Sequence, residues 1–483
     1  MTEIQQQTAP LVEQLLKYQT NGYQPFHMPG HKGGFGILKE WHDFLGKEVF
    51  SLDLTEVEGL DDLHQPTGPI YQAQKLAADL MEAESAFFLV NGVTVGLHAL
   101  IMSLCGPGDL IILPRHAHRS IYEAVILSGA KPIYLKPEID KEWGIPVGVG
   151  VGQVETALKC NQDAKCLVMV HPTYQGLVSD LTAIGKAARA HGVPLVVDEA
   201  HGAHFKFSPY FPLPALQCGA SASVQGWHKT MGSLTQSGML LVKDKSPGIE
   251  DYLTLLQSTS PSYLLMGSLD AARKQWAQSG FAMAEKMVKI SWDLRNKVHD
   301  LEGVFFLDGE TLNSPVLSGL DPTKLLLNAR NLGLNGFELA AELRQKYHIQ
   351  PEMASLKGVL LMVTIGDNKE RMEHLFAALR DLVSRFPLGK KAGYLKWDQF
   401  DDVEMVLLPG EAIKSPKRTV SLAEAKDCIS GEFICPYPPG IPLVVPGEKI
   451  SGEVLETVYQ IKRWGGHIQG PKDPLGNTLR IID

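Results

Sequence analysis

From about residue 70 the apolar positions fall into a regular alternation. Between 70 and 83 they recur at helical spacing, and an apolar strand is predicted at 86–90, followed by Gly92 and a helix to about 104. Then come DLIILP (109–114), a helix near 119–128 and PIYLKP (132–137). After a longer excursion, KCLVMVHP (165–172) precedes a helix through 181–191, and PLVVDEAH (194–201), SASVQGWH (221–228) and GMLLV (238–242) follow. Short apolar runs alternating with helices predict an α/β fold, a mostly parallel sheet covered on both faces. Residues 250–300 read as helical and include a long connector. Beyond about 305, helices near 336–347 and 368–386 alternate with GVLLMVTIG and VFFLDG, the pattern of a smaller α/β domain. A Pro-rich segment from about 400 (CPYPPGIPLVVPGE) ends in a helix near 449–463. Upstream, residues 21–70 are rich in Gly, Pro and His with little periodicity, so they form an arm that needs a larger domain or a partner subunit to lie on. The expected division is an arm (1–69), a large domain (70–305), a small α/β domain (306–399) and a C-terminal domain (400–483).

Composition narrows the class. A chain of 483 residues is too long for one compact core. Its 44% hydrophobic and 20% charged residues describe an ordinary globular protein. A net charge of −9 gives no basic surface for nucleic acid or anionic membrane, and would mildly favour a cationic small-molecule substrate. Six cysteines (Cys105, Cys160, Cys166, Cys218, Cys428 and Cys435) show neither metal-ligand spacing nor a disulfide framework, and read as reduced thiols of a cytoplasmic protein. The first twenty residues read as a short amphipathic helix rather than a signal peptide, and no stretch is long enough to span a bilayer. His201 and His204 could chelate, but no H-E-x-x-H or comparable ligand set accompanies them, so no metal is expected. NGVTVG lacks the G-x-G-x-x-G spacing and no P-loop is present, which removes any weight from the helicase-like DEAH.

In parallel α/β sheets ligands bind at the carboxyl ends of the strands, and the polar residues there form a set. Asn91-Gly92-Val93-Thr94 precedes a helix, where unpaired N–H groups offer a phosphate site; a plain turn capped by Thr94 is the alternative. Pro114-Arg115-His116-Ala117-His118-Arg119-Ser120 could set an imidazole against a planar ring, or be a solvated loop. Asp198 leaves the apolar run VPLVV and needs a cationic or N–H partner, such as a pyridinium nitrogen, unless it caps the next helix. Lys229 closes SASVQGWHK, and a lysine at the end of a buried strand must be paired or deprotonated, as Schiff-base chemistry requires. Each signal is weak by itself. Together they describe a pyridoxal-phosphate site centred on Lys229.

With these residues in view, the chain resembles the ornithine/lysine/arginine decarboxylase family, and its shorter bacterial members most. The motifs are FHMPGHKGG (26–34), GLDDLHQPTGPI (59–70), PRHAHRS (114–120), VDEAHGAH (197–204), WHKT (227–230), STSPSYLLMGSLD (258–270) and CPYPPGIPLVVPGE (435–448). The resemblance implies fold type I, with a seven-stranded sheet, and the cofactor pyridoxal 5'-phosphate. It also implies roles. Lys229 would carry the cofactor as a Schiff base, Asp198 would pair with the ring nitrogen and His118 would stack on the ring. Gly92, Val93, Thr94 and His228 would hold the phosphate, and His201 would lie near the reactive face. Ser258 or Thr259 would reach the phosphate of a neighbouring subunit, so a homodimer or a higher homo-oligomer is expected. One departure stands out: many members have a Ser-Thr pair before the His-Lys, whose serine hydroxyl bonds the phosphate, and Gly226-Trp227 replaces it here.

The implied reaction is α-decarboxylation of a basic amino acid in polyamine metabolism, with arginine first, lysine second and ornithine third. Asp61, Asp62 and Glu432 are candidates for the substrate's distal group. A fold-type-I aminotransferase or lyase shares the Lys, Asp and phosphate logic and would clamp the substrate carboxylate with an arginine, for which Arg480 is a superficial candidate. A catalytically silent relative that binds the cofactor or a regulatory partner is the rival from another class.

Overall fold

A computed structural model describes residues 5–244, 248–309, 312, 314–389 and 404–483. Its main sheet has seven strands: β1 (Ser85–Leu89), β2 (Leu110–Pro114), β3 (Lys131–Leu135), β4 (Cys166–Val170), β5 (Leu195–Asp198), β6 (Ala222–Gln225) and β7 (Gly238–Val242). Their spatial order is β1-β7-β6-β5-β4-β2-β3. The β5–β6, β2–β3 and β2–β4 pairs are parallel, whereas β7 runs antiparallel to β1 and β6. The expected mostly parallel sheet is present. Every residue of β5, β6 and β7 is buried, which explains why β5 and β7 read as apolar runs; β6 (ASVQ) carries the polar Ser223 and Gln225 into the interior.

The chain divides into two compact units. One comprises residues 1–104, 196–209 and 213–284; the other comprises 105–195, 210–212 and 285–483. The expected boundary at 399/400 lies outside the described residues, and the four-part division remains a proposal.

In the first unit, helix Pro10–Thr20 forms as the N-terminal pattern predicts, burying Leu11 and Leu15. Its amino end is held by a buried ion pair: Asp270 Oδ2 accepts from Leu11 N at 2.9 Å, while Arg273 bonds Asp270 Oδ1 at 2.7 Å and donates to Thr8 O. The region 250–300 holds two helices, Ile249–Leu256 and the 37-residue Tyr263–His299, of which residues 263–284 belong to this unit and 285–299 to the other. The arm leaves large apolar side chains in solvent, among them Phe26 (95% exposed) and Phe35 (92%).

In the second unit, the small-domain pattern yields an antiparallel sheet of Phe305–Phe306, Lys324–Asn328, Val359–Met362 and Met353–Ala354. VFFLDG contributes two strand residues and GVLLMVTIG four, fewer than their apolar lengths predict. Strand Lys324–Asn328, all buried, and the hairpin Glu138–Asp140/Ile145–Gly148 are additional to the predicted elements. Helix Gly336–Tyr347 opens on a capping box in which Asn335 and Glu338 each satisfy the other's backbone N–H. At the chain's end, Lys417–Ser421 pairs antiparallel with Thr478–Ile482 over a core that includes Ile434, Val444, Val458 and Ile481. Among the described residues no helix is long and apolar enough to cross a membrane.

Candidate active site

Parallel pairing of β5 with β6 puts Asp198 in register with Val224, so the two strands end side by side. Beyond β6 the chain turns at Gly226 into the short helix Trp227–Thr230, and Lys229 N donates to Gly226 O at 3.0 Å. Lys229 therefore sits one turn past the strand rather than on it, and is half-buried. Its Nζ lies 3.1 Å from His201 Nε2. Asp198 is 5% exposed and takes the N–H of Ala200 on Oδ1 at 3.2 Å, so its local bond is to a turn and not to a helix cap.

The same unit holds the expected phosphate residues. Helix Gly92–Leu104 begins directly after β1 with Gly92 at φ +80°, a conformation that glycine adopts without strain. Thr94 falls inside the first turn, which removes the reading of it as the cap. The leading N–H groups of such a helix have no partners within it, and they favour an anion. Asn91 Oδ1 accepts from Ser258 N at 3.2 Å, which brings the Ser258–Thr259 segment to the Gly92 turn of its own chain. His228 Nδ1 donates to Ser237 O at 2.7 Å, leaving Nε2 for another partner; burial lowers its pKa and the neighbouring Lys229 adds to that.

His118 belongs to the second unit, where it caps helix Arg119–Ser128: Nδ1 accepts from Ser120 N at 3.2 Å and lies 2.8 Å from Ser120 Oγ. Its imidazole is exposed, whereas Arg115, His116 and Ala117 before it are buried, so the motif is no solvated loop. The His116 imidazole is pushed down to about 4 by burial. A side chain at Gly440 would place its Cβ 3.2 Å from His118 Nε2, and Gly440 O accepts from Arg119 N at 3.1 Å. The loop of the Pro-rich motif thus packs against this histidine.

Sequence reasoning missed Glu199, hidden inside VDEAHGAH. Its carboxyl is fully buried, with Oε2 accepting from Ser223 Oγ (2.5 Å) and Gln225 Nε2 (2.8 Å) and Oε1 from Ala215 N (2.8 Å). Burial pushes its pKa up to about 7; the three donors oppose this and the charge of Asp198 adds to it. The folded state therefore holds this proton more tightly than the unfolded chain. The resulting stabilisation is complete below the ordinary value of 4.5 and is lost as pH rises through about 7. Relative to the wild type, Glu199→Gln is expected to flatten the fall in stability between pH 5 and 8. The difference is on the order of 3 kcal/mol and is read from urea midpoints across that range.

Two of the acids considered for the substrate's distal group are engaged elsewhere. Asp61 takes five backbone N–H groups, from Asp62, Thr67, Gly68, Ile70 and Tyr71, and so organises the start of helix Pro69–Met81. Glu432 is buried and pairs with Arg480, whose Nε donates to Oε2 at 2.8 Å. Asp62 accepts the N–H of His64. The same pair occupies Arg480, the arginine that an aminotransferase would have needed for its substrate's carboxylate.

A lysine just past a central strand, one strand from a buried aspartate and in the same unit as a glycine-led helix start, marks the fold-type-I class of pyridoxal-phosphate enzymes. A solved lysine decarboxylase from Francisella novicida shares that fold with a TM-score of 0.84, at 20% identity and over 99% of this chain and 81% of the other. The chain belongs to the Orn/Lys/Arg decarboxylase family: the family's major-domain model matches residues 9–316 and its C-terminal-domain model residues 399–470. Two bacterial relatives are named arginine decarboxylase. That of Bacillus anthracis is 37% identical over 100% of this chain and 99% of its own length. That of Bacillus subtilis (strain 168) is 37% identical over 99% and 98%.

Proposed function

We propose that the protein is a pyridoxal-phosphate-dependent decarboxylase that converts arginine to agmatine and CO2 in polyamine metabolism. The observation that carries the reading is the proximity of Lys229 Nζ to His201 Nε2, 3.1 Å, on a turn whose preceding strand pairs with the one ending in Asp198. The donor set fits the cofactor part by part: an amine for its aldehyde, a carboxylate for its ring nitrogen, and a helix start with an imidazole for its phosphate. When bound, the cofactor supplies an electron sink for the pair left on Cα as CO2 departs.

The chain's own residues do the rest. Lys229 Nζ would hold the cofactor's aldehyde end, and His201 Nε2, 3.1 Å away, is within reach of a proton on that amine. The carboxylate of Asp198 would favour a protonated ring nitrogen. The N–H groups of Gly92, Val93 and Thr94 would hold the phosphate, joined by His228 in its doubly protonated form, since its Nδ1–H is committed to Ser237 O, and His118 would lie against the ring. Ser258 or Thr259, whose segment meets Asn91 of its own chain, would reach the phosphate of a partner subunit. A homodimer is supported by the exposed apolar side chains of the arm, Phe26, Met28, Phe35 and Phe44, which a second copy would cover. A cytoplasmic location is supported by the cysteines, all of them free thiols.

Decarboxylation requires that the substrate carboxylate not be stabilised by a close cation, and the pairing of Arg480 with Glu432 supports that outcome over transamination. Arginine is placed before lysine because the full-length relatives at 37% identity carry the arginine decarboxylase name. A panel of arginine, lysine and ornithine, assayed for CO2 and for the product amine, tests the reading. Arginine is expected to lead by about tenfold or more in kcat/KM, a margin of roughly 1.4 kcal/mol. Keto acid without CO2 would point to an aminotransferase, and cofactor binding without turnover of any of the three to a silent relative.

A further inference from the structure

Gly226 and Trp227 stand where many family members carry the serine–threonine pair, and their surroundings give them a different task. A Cβ at position 226 would lie 2.7 Å from Ala200 O, and 3.1 and 3.3 Å from Cδ and Cγ of Lys229. The Ala200 carbonyl cannot retreat cheaply, since it accepts the N–H of Gly226 itself at 3.2 Å. The space that a side chain would need is thus taken by a backbone oxygen and by the stem of Lys229.

Trp227 is fully buried, and its Nε1–H donates to Gln225 Oε1 at 3.0 Å. The amide of Gln225 in turn donates to Glu199 Oε2 at 2.8 Å, and Glu199 directly follows Asp198. Trp227, Gln225, Glu199 and Ser223 are each at most 1% exposed. Buried polar chains of this kind rigidify their surroundings when every member is satisfied. Here the chain joins the turn that carries Lys229 to the strand end that carries Asp198.

We propose that Trp227, acting through Gln225 and Glu199, is a positioning residue that holds Lys229 in register with Asp198, and that Gly226 is the channel for the lysine stem. The lysine turn is then organised from inside the protein, without a serine hydroxyl on the phosphate. This rests on Lys229 being the cofactor lysine.

The test measures pyridoxal-phosphate affinity by absorbance and the pH midpoint of the lysine-linked band, in the full-length protein. The wild type comes first, with borohydride trapping and peptide mapping: a label elsewhere than Lys229 would sink the parent reading and this proposal with it, whereas a label on Lys229 leaves the two variants to test this proposal alone. Gly226→Ser, which restores the family's hydroxyl, is expected to weaken cofactor binding by about tenfold, because its Cβ displaces the lysine stem or the Ala200 carbonyl. Trp227→Phe, which keeps the ring and removes the N–H, is expected to weaken binding by about tenfold and to shift the pH midpoint by about half a unit or more. A merely structural tryptophan would lower thermal stability and leave that midpoint alone. If Trp227→Phe does not fold, Gly226→Ala, which deletes no core atom, reads the same constant. Cofactor binding by Gly226→Ser as tight as that of the wild type, or an unmoved midpoint in Trp227→Phe, overturns the proposal.

Discussion

With Lys229 replaced by alanine, the proposed function expects the protein to lose the lysine-linked absorbance of added pyridoxal phosphate and to fall in turnover by about a thousandfold or more. On the proposed function the amine at that position would be an intramolecular nucleophile, and well-oriented groups of this kind act at effective molarities on the order of 10⁵ M or higher. External amines at millimolar concentration cannot replace it. Stability should change little, because the side chain is only half-buried. Absorbance after adding pyridoxal phosphate, single-turnover decarboxylation of arginine and a thermal melt together make the measurement. Normal turnover in the alanine variant would remove Lys229 from the reaction. Asp198→Ala separates the two ends of the cofactor: it should retain some binding, through Lys229 and the phosphate residues, while losing most of the rate. A rate loss without loss of binding is the signature of a group that acts on the ring's electronics rather than on its attachment.

What was legible in the sequence is what local chemistry writes into adjacent residues. Helices Gly92–Leu104, Arg119–Ser128 and Gly336–Tyr347 match their apolar periodicity because each has a turn or cap residue directly before it. The residues proposed for the site were legible because polar groups at the ends of apolar strands interrupt a pattern that burial otherwise keeps uniform. Strand Lys324–Asn328 was missed because five buried residues in a row carry no alternation to mark a strand. The hairpin at 138–148 was missed because its register shifts between Glu138 and Ile139, and its strands are short. Long-range partnerships left no local trace at all. Glu432 looks like an unengaged acid near a motif until Arg480, 48 residues away, closes on it. Asp61 looks like a ligand until its five backbone donors are counted. Glu199 was overlooked beside Asp198, since nothing in DEAH says that the second carboxyl turns inward.

The same lesson gives the second large effect. Arg115, from PRHAHRS, and Glu448, from VPGE, form a buried ion pair at 2.9 Å across 333 residues of sequence. The guanidinium also donates to Pro442 O, Leu443 O and the hydroxyl of Tyr122, while Glu448 Oε2 accepts the N–H of Val445. Burial pushes the Glu448 carboxyl up from its ordinary value and Arg115 offsets part of this; the carboxylate in turn holds Arg115 firmly charged. Glu448→Ala strands that charge without its counterion, a loss of about 3–5 kcal/mol in the usual range for a broken buried pair. An ordinary substitution costs about 1 kcal/mol, so the urea midpoint should move visibly. Activity should fall as well, because the loop released is the one whose Gly440 packs on His118 and takes the N–H of Arg119. The double variant Arg115→Met/Glu448→Leu tells charge from scaffold. It removes both ions and should recover part of the stability. It should not recover all of it, since the carbonyls of Pro442 and Leu443 lose their donors. Nor should it recover the rate, if the guanidinium's work is to hold the loop against His118. Full activity in a stable double variant would mean that the pair serves folding and leaves the histidine's position to other contacts.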